Sequence, residues 1–97
     1  MNKSEALFTH LKKHRLIALL SPESVENCLY AFEILESLNI TLEITYRSRF
    51  ATDGIRYILK KYPDALILAG TVMTAKQAEE AIAAGAAGIV GQGGFRL

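Results

Sequence analysis

From Thr41 to Ser48 polar and apolar side chains alternate without a break, putting Thr41, Glu43, Thr45 and Arg47 on one face of a strand and Leu42, Ile44 and Tyr46 on the other. Elsewhere the period changes. Leu7, Phe8 and Leu11 fall on one side of a short amphipathic helix predicted over Ser4 to His14. From Pro22 to Leu38, Val25, Leu29, Phe32, Leu35 and Leu38 recur at steps of three and four, which predicts a long helix with Ser21 as its cap and Pro22 in its first turn. Asn39 can end it in a left-handed conformation. A further helix is predicted over about Ala51 to Tyr62, with Ile55, Ile58, Leu59 and Tyr62 inward and Pro63 as its stop. Thr74 and Gln77 form a capping box that opens a last helix, Ala75 to Ala84, closed by Gly85.

Between the helices lie three short runs that are apolar throughout: Leu16 to Leu20, Ala65 to Gly70 and Ala86 to Gly91. Such runs suit strands covered on both faces, and each of the first three strands precedes a helix long enough to cross over, so the sheet is expected to be parallel. Strand starts near residues 16, 40, 65 and 86 repeat one strand-helix unit. Part of a barrel and an open doubly wound sheet both fit that order. Either way the polar face of the second strand is enclosed or semi-enclosed. A carboxylate there must be paired, protonated or at work, since burying it alone costs several kcal/mol.

Glu43 is therefore the first candidate for chemistry: apolar surroundings raise a carboxyl pKa toward the range in which it both gives and takes protons. The competing reading is a structural carboxylate held by Arg47, Arg15 or a neighbouring hydroxyl. Arg47 stands roughly 13 Å further along an extended strand, at the carboxyl end, where parallel α/β folds collect ligands. Its guanidinium could grip a carboxylate or phosphate there, or simply be solvated like Arg49. Gly70 and Thr71 mark another strand terminus, offering close backbone approach and a hydroxyl. The tail "GQGGF" is read as a flexible end, because no helix signal follows it.

Composition narrows the partners. Ninety-seven residues with eleven basic and ten acidic side chains, net charge +1, predict one domain over residues 1–97 with no basic stripe for nucleic acid. No apolar stretch reaches membrane-span length, and the start of the chain is not a signal peptide. The lone Cys28 falls on an apolar helix side and is expected to be a buried thiol in a cytoplasmic protein. His10 and His14 lack further ligands at matching spacing, so both are expected to be exposed and no metal site is predicted.

"KKHRLIALL", "LEITYRS" and "KKYPDALILAGTVMTAKQAEEAIAAGAAGIV" resemble, in order and spacing, the amino-terminal half of the KDPG/KHG aldolases. These are class I aldolases acting on 2-keto-3-deoxy-6-phosphogluconate and 4-hydroxy-2-oxoglutarate. The resemblance spans Lys12 to Val90 and is most specific at the acid within "LEIT" and at "AGTV". It implies a TIM (β/α)8 barrel, of which this chain would supply the first four β/α units behind a short amino-terminal helix. It implies homo-oligomers, a pyruvate-type keto acid as ligand, no cofactor, and three roles: Glu43 as proton shuttle in imine chemistry, Arg47 and Thr71 as holders of the pyruvate carboxylate.

Three departures accompany the likeness. Ser21 stands where many relatives carry arginine, and Gly91, Gln92 and Gly93 replace a serine-proline-glycine after the fourth strand. The family's imine-forming lysine lies on its sixth strand, beyond these residues. Lys3, Lys12 and Lys13 precede the first strand, and Lys60, Lys61 and Lys76 lie on predicted helices, so none is expected to point inward. The leading expectation is thus an aldolase-family polypeptide without its own nucleophile. A non-catalytic half-barrel module for binding or assembly is the alternative, and an open flavodoxin-like sheet is a third.

Overall fold

A computed structural model describes residues 2–13, 16–91 and 94–96. Helix α1 (Lys3–Lys13) precedes strand β1 (Leu16–Leu20), and then α2 (Val25–Ser37), β2 (Ile40–Thr45), α3 (Ala51–Lys61), β3 (Leu68–Val72), α4 (Ala75–Ala84) and β4 (Gly88–Gly91) alternate, with a short β5 (Gly94–Arg96) last. The strands lie side by side in chain order, β1 to β4 parallel and β5 antiparallel to β4. That order has no reversal point, which removes the flavodoxin-like possibility. The tail expected to be flexible pairs instead: Ile89, Val90 and Gly91 oppose Arg96, Phe95 and Gly94, because the fourth strand otherwise presents a bare edge. Gln92 lies outside the described residues.

The sheet has two unlike faces. Leu42, Ile44 and Tyr46 of β2 join Ile67 and Ala69 in one core with Cys28 and Phe32 of α2, Ala51, Ile55 and Ile58 of α3, and Ala81 and Ala84 of α4. All three crossover helices thus cover one face. On the other face α1 seats Leu7 against Leu68 and Ala87, with Leu11 and Leu66 at the margin. Phe8, expected to pack inward with them, is exposed, since the small second cluster accommodates only one side of the helix.

Local signals explain most boundaries. Ser24, not Ser21, caps α2, its hydroxyl accepting from the Asn27 amide at 3.0 Å. Pro22 is buried ahead of the helix and its carbonyl accepts from Ser48 at 2.6 Å, so the chain turns there before helix begins. Asn39 does take a left-handed φ of 59°. Thr74 caps α4 at 3.1 Å, while Gln77 reaches one residue further back than a capping box requires, accepting from the Met73 amide. Gly85 closes α4 at φ 105°. Leu38, expected on the inner stripe of α2, is exposed together with Tyr30 and Ile34. These three follow at steps of four on the side of α2 opposite the buried Cys28 and Phe32.

Candidate active site

The register of the sheet defines the surface on which chemistry could occur. Leu19, Glu43 and Leu68 are aligned across β1, β2 and β3, and Thr45 is aligned with Gly70. Thr41, Glu43 and Thr45 therefore project to the α1 side of the sheet, opposite the main core. Both threonines are 1% exposed, so the polar face of β2 is semi-enclosed: it closes over them and leaves Arg47, in the turn beyond, exposed. Glu43 itself is half-buried.

The Glu43 side chain leans across β3 onto Gly70. A Cβ built on Gly70 would stand 2.6 Å from the Glu43 Cδ and 2.8 Å from its Cγ, with Oε2 nearer still. Among the described residues nothing donates a hydrogen bond to this carboxylate and no cation pairs with it. Burial alone pushes its pKa above the ordinary value. Arg47, offered as a structural partner, does not reach it, and Arg15 lies outside the described residues.

Immediately after Gly70 the strand is irregular. Ala69 pairs with Ile89 and Val72 with Gly91, so β3 holds one extra residue across Gly70 and Thr71. Thr71 absorbs it with φ 53°, a left-handed conformation that a β-branched residue adopts at a cost of order 1–3 kcal/mol. The bulge breaks the alternation of β3 at its carboxyl end, where Thr71 stands. A glycine beside a threonine suggests that the glycine takes the left-handed position; here the threonine does, and no sequence signal foretells it.

Arg47 is exposed in the turn after β2, its amide donating to the Thr45 hydroxyl at 3.3 Å. It lines a shallow cavity of about 290 Å3 with Tyr46, Ser48, Arg49, Thr52, Gln77 and Glu80, which includes neither Glu43 nor Thr71. The structure therefore groups Glu43 with Gly70 and the strand end bearing Thr71, and leaves Arg47 on the same rim but turned to its helical side. Ser48, which sequence reasoning passed over, ties this turn to Pro22 of the preceding loop and accepts from the Phe50 amide at 3.1 Å. A larger cavity of about 500 Å3 lies between the ends of α2 and α3, lined by Phe32, Glu33, Lys61 and Tyr62. It opens at the amino-terminal end of the sheet, where parallel α/β folds place stability rather than chemistry.

The model of the family described as KDPG and KHG aldolase matches residues 7–95. The chain belongs to that family. A 2-dehydro-3-deoxy-phosphogluconate aldolase of Treponema pallidum is 35% identical over 88 residues, covering 90% of this chain and 42% of the relative. One of Haemophilus influenzae is 31% identical, covering 93% and 43%. The 2-keto-3-deoxy-6-phosphogluconate aldolase of Zymomonas mobilis superposes with a TM-score of 0.76 at 27% identity, covering 91% of this chain and 42% of that one. A KDPG aldolase of Legionella pneumophila, solved with pyruvate captured as a covalent carbinolamine, superposes at 0.73 with 29% identity, covering 89% and 40%. This aldolase-family chain thus spans under half the length of these relatives, and its parallel β/α units correspond to part of their TIM-barrel-like fold.

No described lysine of this aldolase-family chain approaches Glu43. The Lys3 ammonium donates to the Gly85 carbonyl, Lys61 pairs with Glu33 at 3.0 Å, and Lys60 and Lys76 are exposed on helices. The side chains of Lys12 and Lys13, and all of His14, lie outside what the structure describes. His10 is half-buried rather than exposed. Cys28 is fully buried as expected, and burial pushes its thiol up to about 11, so it is inert. No helix among the described residues is long and apolar enough to cross a membrane.

Proposed function

We propose that residues 1–97 form the (β/α)4 half of a class I aldolase barrel that, when complete, cleaves a 2-keto-3-deoxy-6-phospho sugar acid or 4-hydroxy-2-oxoglutarate to pyruvate and an aldehyde. An amine from outside the described residues condenses with the keto carbonyl and expels water. Removal of the C4 hydroxyl proton then breaks the C3–C4 bond; the aldehyde leaves and the electron pair passes to the imine nitrogen, giving an enamine. The Glu43 carboxyl returns a proton to C3, and hydrolysis frees pyruvate. Thr71 and Arg47 hold the pyruvate carboxylate, Arg47 by turning inward from its exposed position. No cofactor is required by this route. The observation that carries the reading is Glu43: a half-buried carboxylate of raised pKa beside the rim, with no partner among the described residues. A cytoplasmic setting, in which Cys28 stays reduced, belongs to the same reading.

The test is a completed barrel, made by joining these residues to the portion of the Treponema relative that lies beyond its matching region. It is expected to release pyruvate from 2-keto-3-deoxy-6-phosphogluconate and to be trapped on a lysine by borohydride. Replacing Arg47 by alanine should raise the KM for the keto acid roughly ten- to a hundredfold with kcat nearly unchanged, since a charge-assisted hydrogen bond is worth about 1.5–3 kcal/mol. An unchanged KM would remove Arg47 from the clamp.

Self-association is the second part of the reading. Leu16, Ile17 and Leu19 are 65%, 50% and 61% exposed along β1, whose outer edge has no neighbour among the described strands. Sedimentation of the 97-residue chain should show a homo-oligomer across the micromolar range, and Ile17→Lys should shift it toward monomer. A wild-type chain that sediments as a monomer would dismiss the idea.

A further inference from the structure

Gly70 has no conformational need to be glycine. Its φ lies outside the left-handed region, and that conformation falls on Thr71 instead. Its backbone does ordinary sheet work, its carbonyl accepting from the Tyr46 amide at 2.7 Å. What the missing side chain leaves is room, and Glu43 takes it: the three atoms nearest a Cβ at residue 70 are its Cγ, Cδ and Oε2. We propose that Gly70 is a positioning residue for the proton-transfer step, a seat that lets the Glu43 carboxylate lie flat on β3 and so fixes its reach toward the rim at Thr71. This rests on the catalytic reading of Glu43 given above.

The seat also accounts for the electrostatics. The groups aligned with Glu43 on the neighbouring strands are Leu19 and Leu68, and the residue beneath its carboxylate is Gly70. None of the three can ionise or donate a side-chain hydrogen bond, so burial acts unopposed on the carboxyl. A methyl at residue 70 would stand within 2.8 Å of the Glu43 Cγ and closer still to its Cδ and Oε2, so the side chain must give way. The carboxylate would have to swing off β3 toward the open side beside the exposed Leu19 and regain water.

Two measurements on the 97-residue chain decide the point. In Gly70→Ala, the Glu43 titration followed by carboxyl 13C NMR should move down toward the ordinary glutamate range. The stability lost in Gly70→Ala should be recovered when Glu43→Ala is added, because the clash then has no second party. If Gly70→Ala alone does not fold, the double variant must fold for the proposal to stand. An unmoved Glu43 titration, or a Gly70→Ala penalty that persists without the Glu43 side chain, would overturn it. In the completed barrel, Gly70→Ala should lower kcat by about a hundredfold, the scale of an ångström-sized misplacement, with KM held. If the barrel proved indifferent to Glu43 itself, the catalytic reading would fall, while the titration and the double variant would still report on the seat.

Discussion

Glu43→Gln in the completed barrel is expected to reduce kcat by about 10²–10⁴ while leaving the KM for the keto acid close to its starting value. The amide keeps the size and shape of the carboxyl and fits the same place over Gly70, so little else changes. What it cannot do is take up and return a proton. Borohydride trapping of pyruvate should persist in the variant, since the imine forms on an amine elsewhere. Loss of trapping, or a rate within a few-fold of the parent, would mean that Glu43 is not the proton carrier.

The same substitution carries a stability signature of opposite sign. Burial raises the Glu43 pKa from its ordinary 4.5, so the fold favours the protonated form. That contribution is complete at pH values below the ordinary pKa and is lost as pH rises through the folded value. Above that value the ionised form carries a desolvation cost that no described residue offsets. Glu43→Gln should leave the thermal midpoint at pH 7 unchanged or raise it, with the difference closing under acid. A residue kept for structure would behave the other way.

The second large effect is expected at Ile44, where alanine should cost about 2–5 kcal/mol in an equilibrium urea titration. Ile44 has no exposed surface, aligns with Leu20 and Ala69 on the adjacent strands, and belongs to the cluster built from α2, α3 and α4. Removing its branched end leaves a cavity that backbone on both sides prevents from closing. Against a total stability of about 5–15 kcal/mol this is a large fraction. Leu38→Ala is the matched control. That leucine continues the periodic stripe of α2 but is exposed, and its loss should stay within about 0.5 kcal/mol. Equal costs at the two positions would contradict a core confined to one face of the sheet.

The pair shows where periodicity stops being informative. A step of three or four places Val25, Phe32 and Leu38 on a common side, yet which part of a broad apolar side is covered depends on the neighbour that arrives. On α2 the neighbour is α3, which buries Cys28 and Phe32 and leaves Tyr30, Ile34 and Leu38 outside. The all-apolar run of β1 has the same ambiguity: its composition suits a strand covered on both faces, while Leu16, Ile17 and Leu19 are open on the edge of the described sheet. The start of α2 departs from its local signal for a related reason. Ser21 and Pro22 carry a sound helix-start signal, but the Ser48 hydroxyl claims the Pro22 carbonyl and the helix waits for Ser24.

By itself the sequence determined the order of the β/α units, the parallel sheet, the enclosed polar face of β2, and Glu43 as the group most in need of explanation. These follow from local periods and from the free-energy cost of burying charge, which act residue by residue along the chain. Only the tertiary structure decided that Glu43 rests on Gly70, that Thr71 takes the left-handed conformation, and that Arg47 faces the helical side of the rim. Those outcomes depend on register between strands and on a one-residue bulge, both of which are set by contacts between segments about 20 to 25 residues apart and leave no mark on the local pattern.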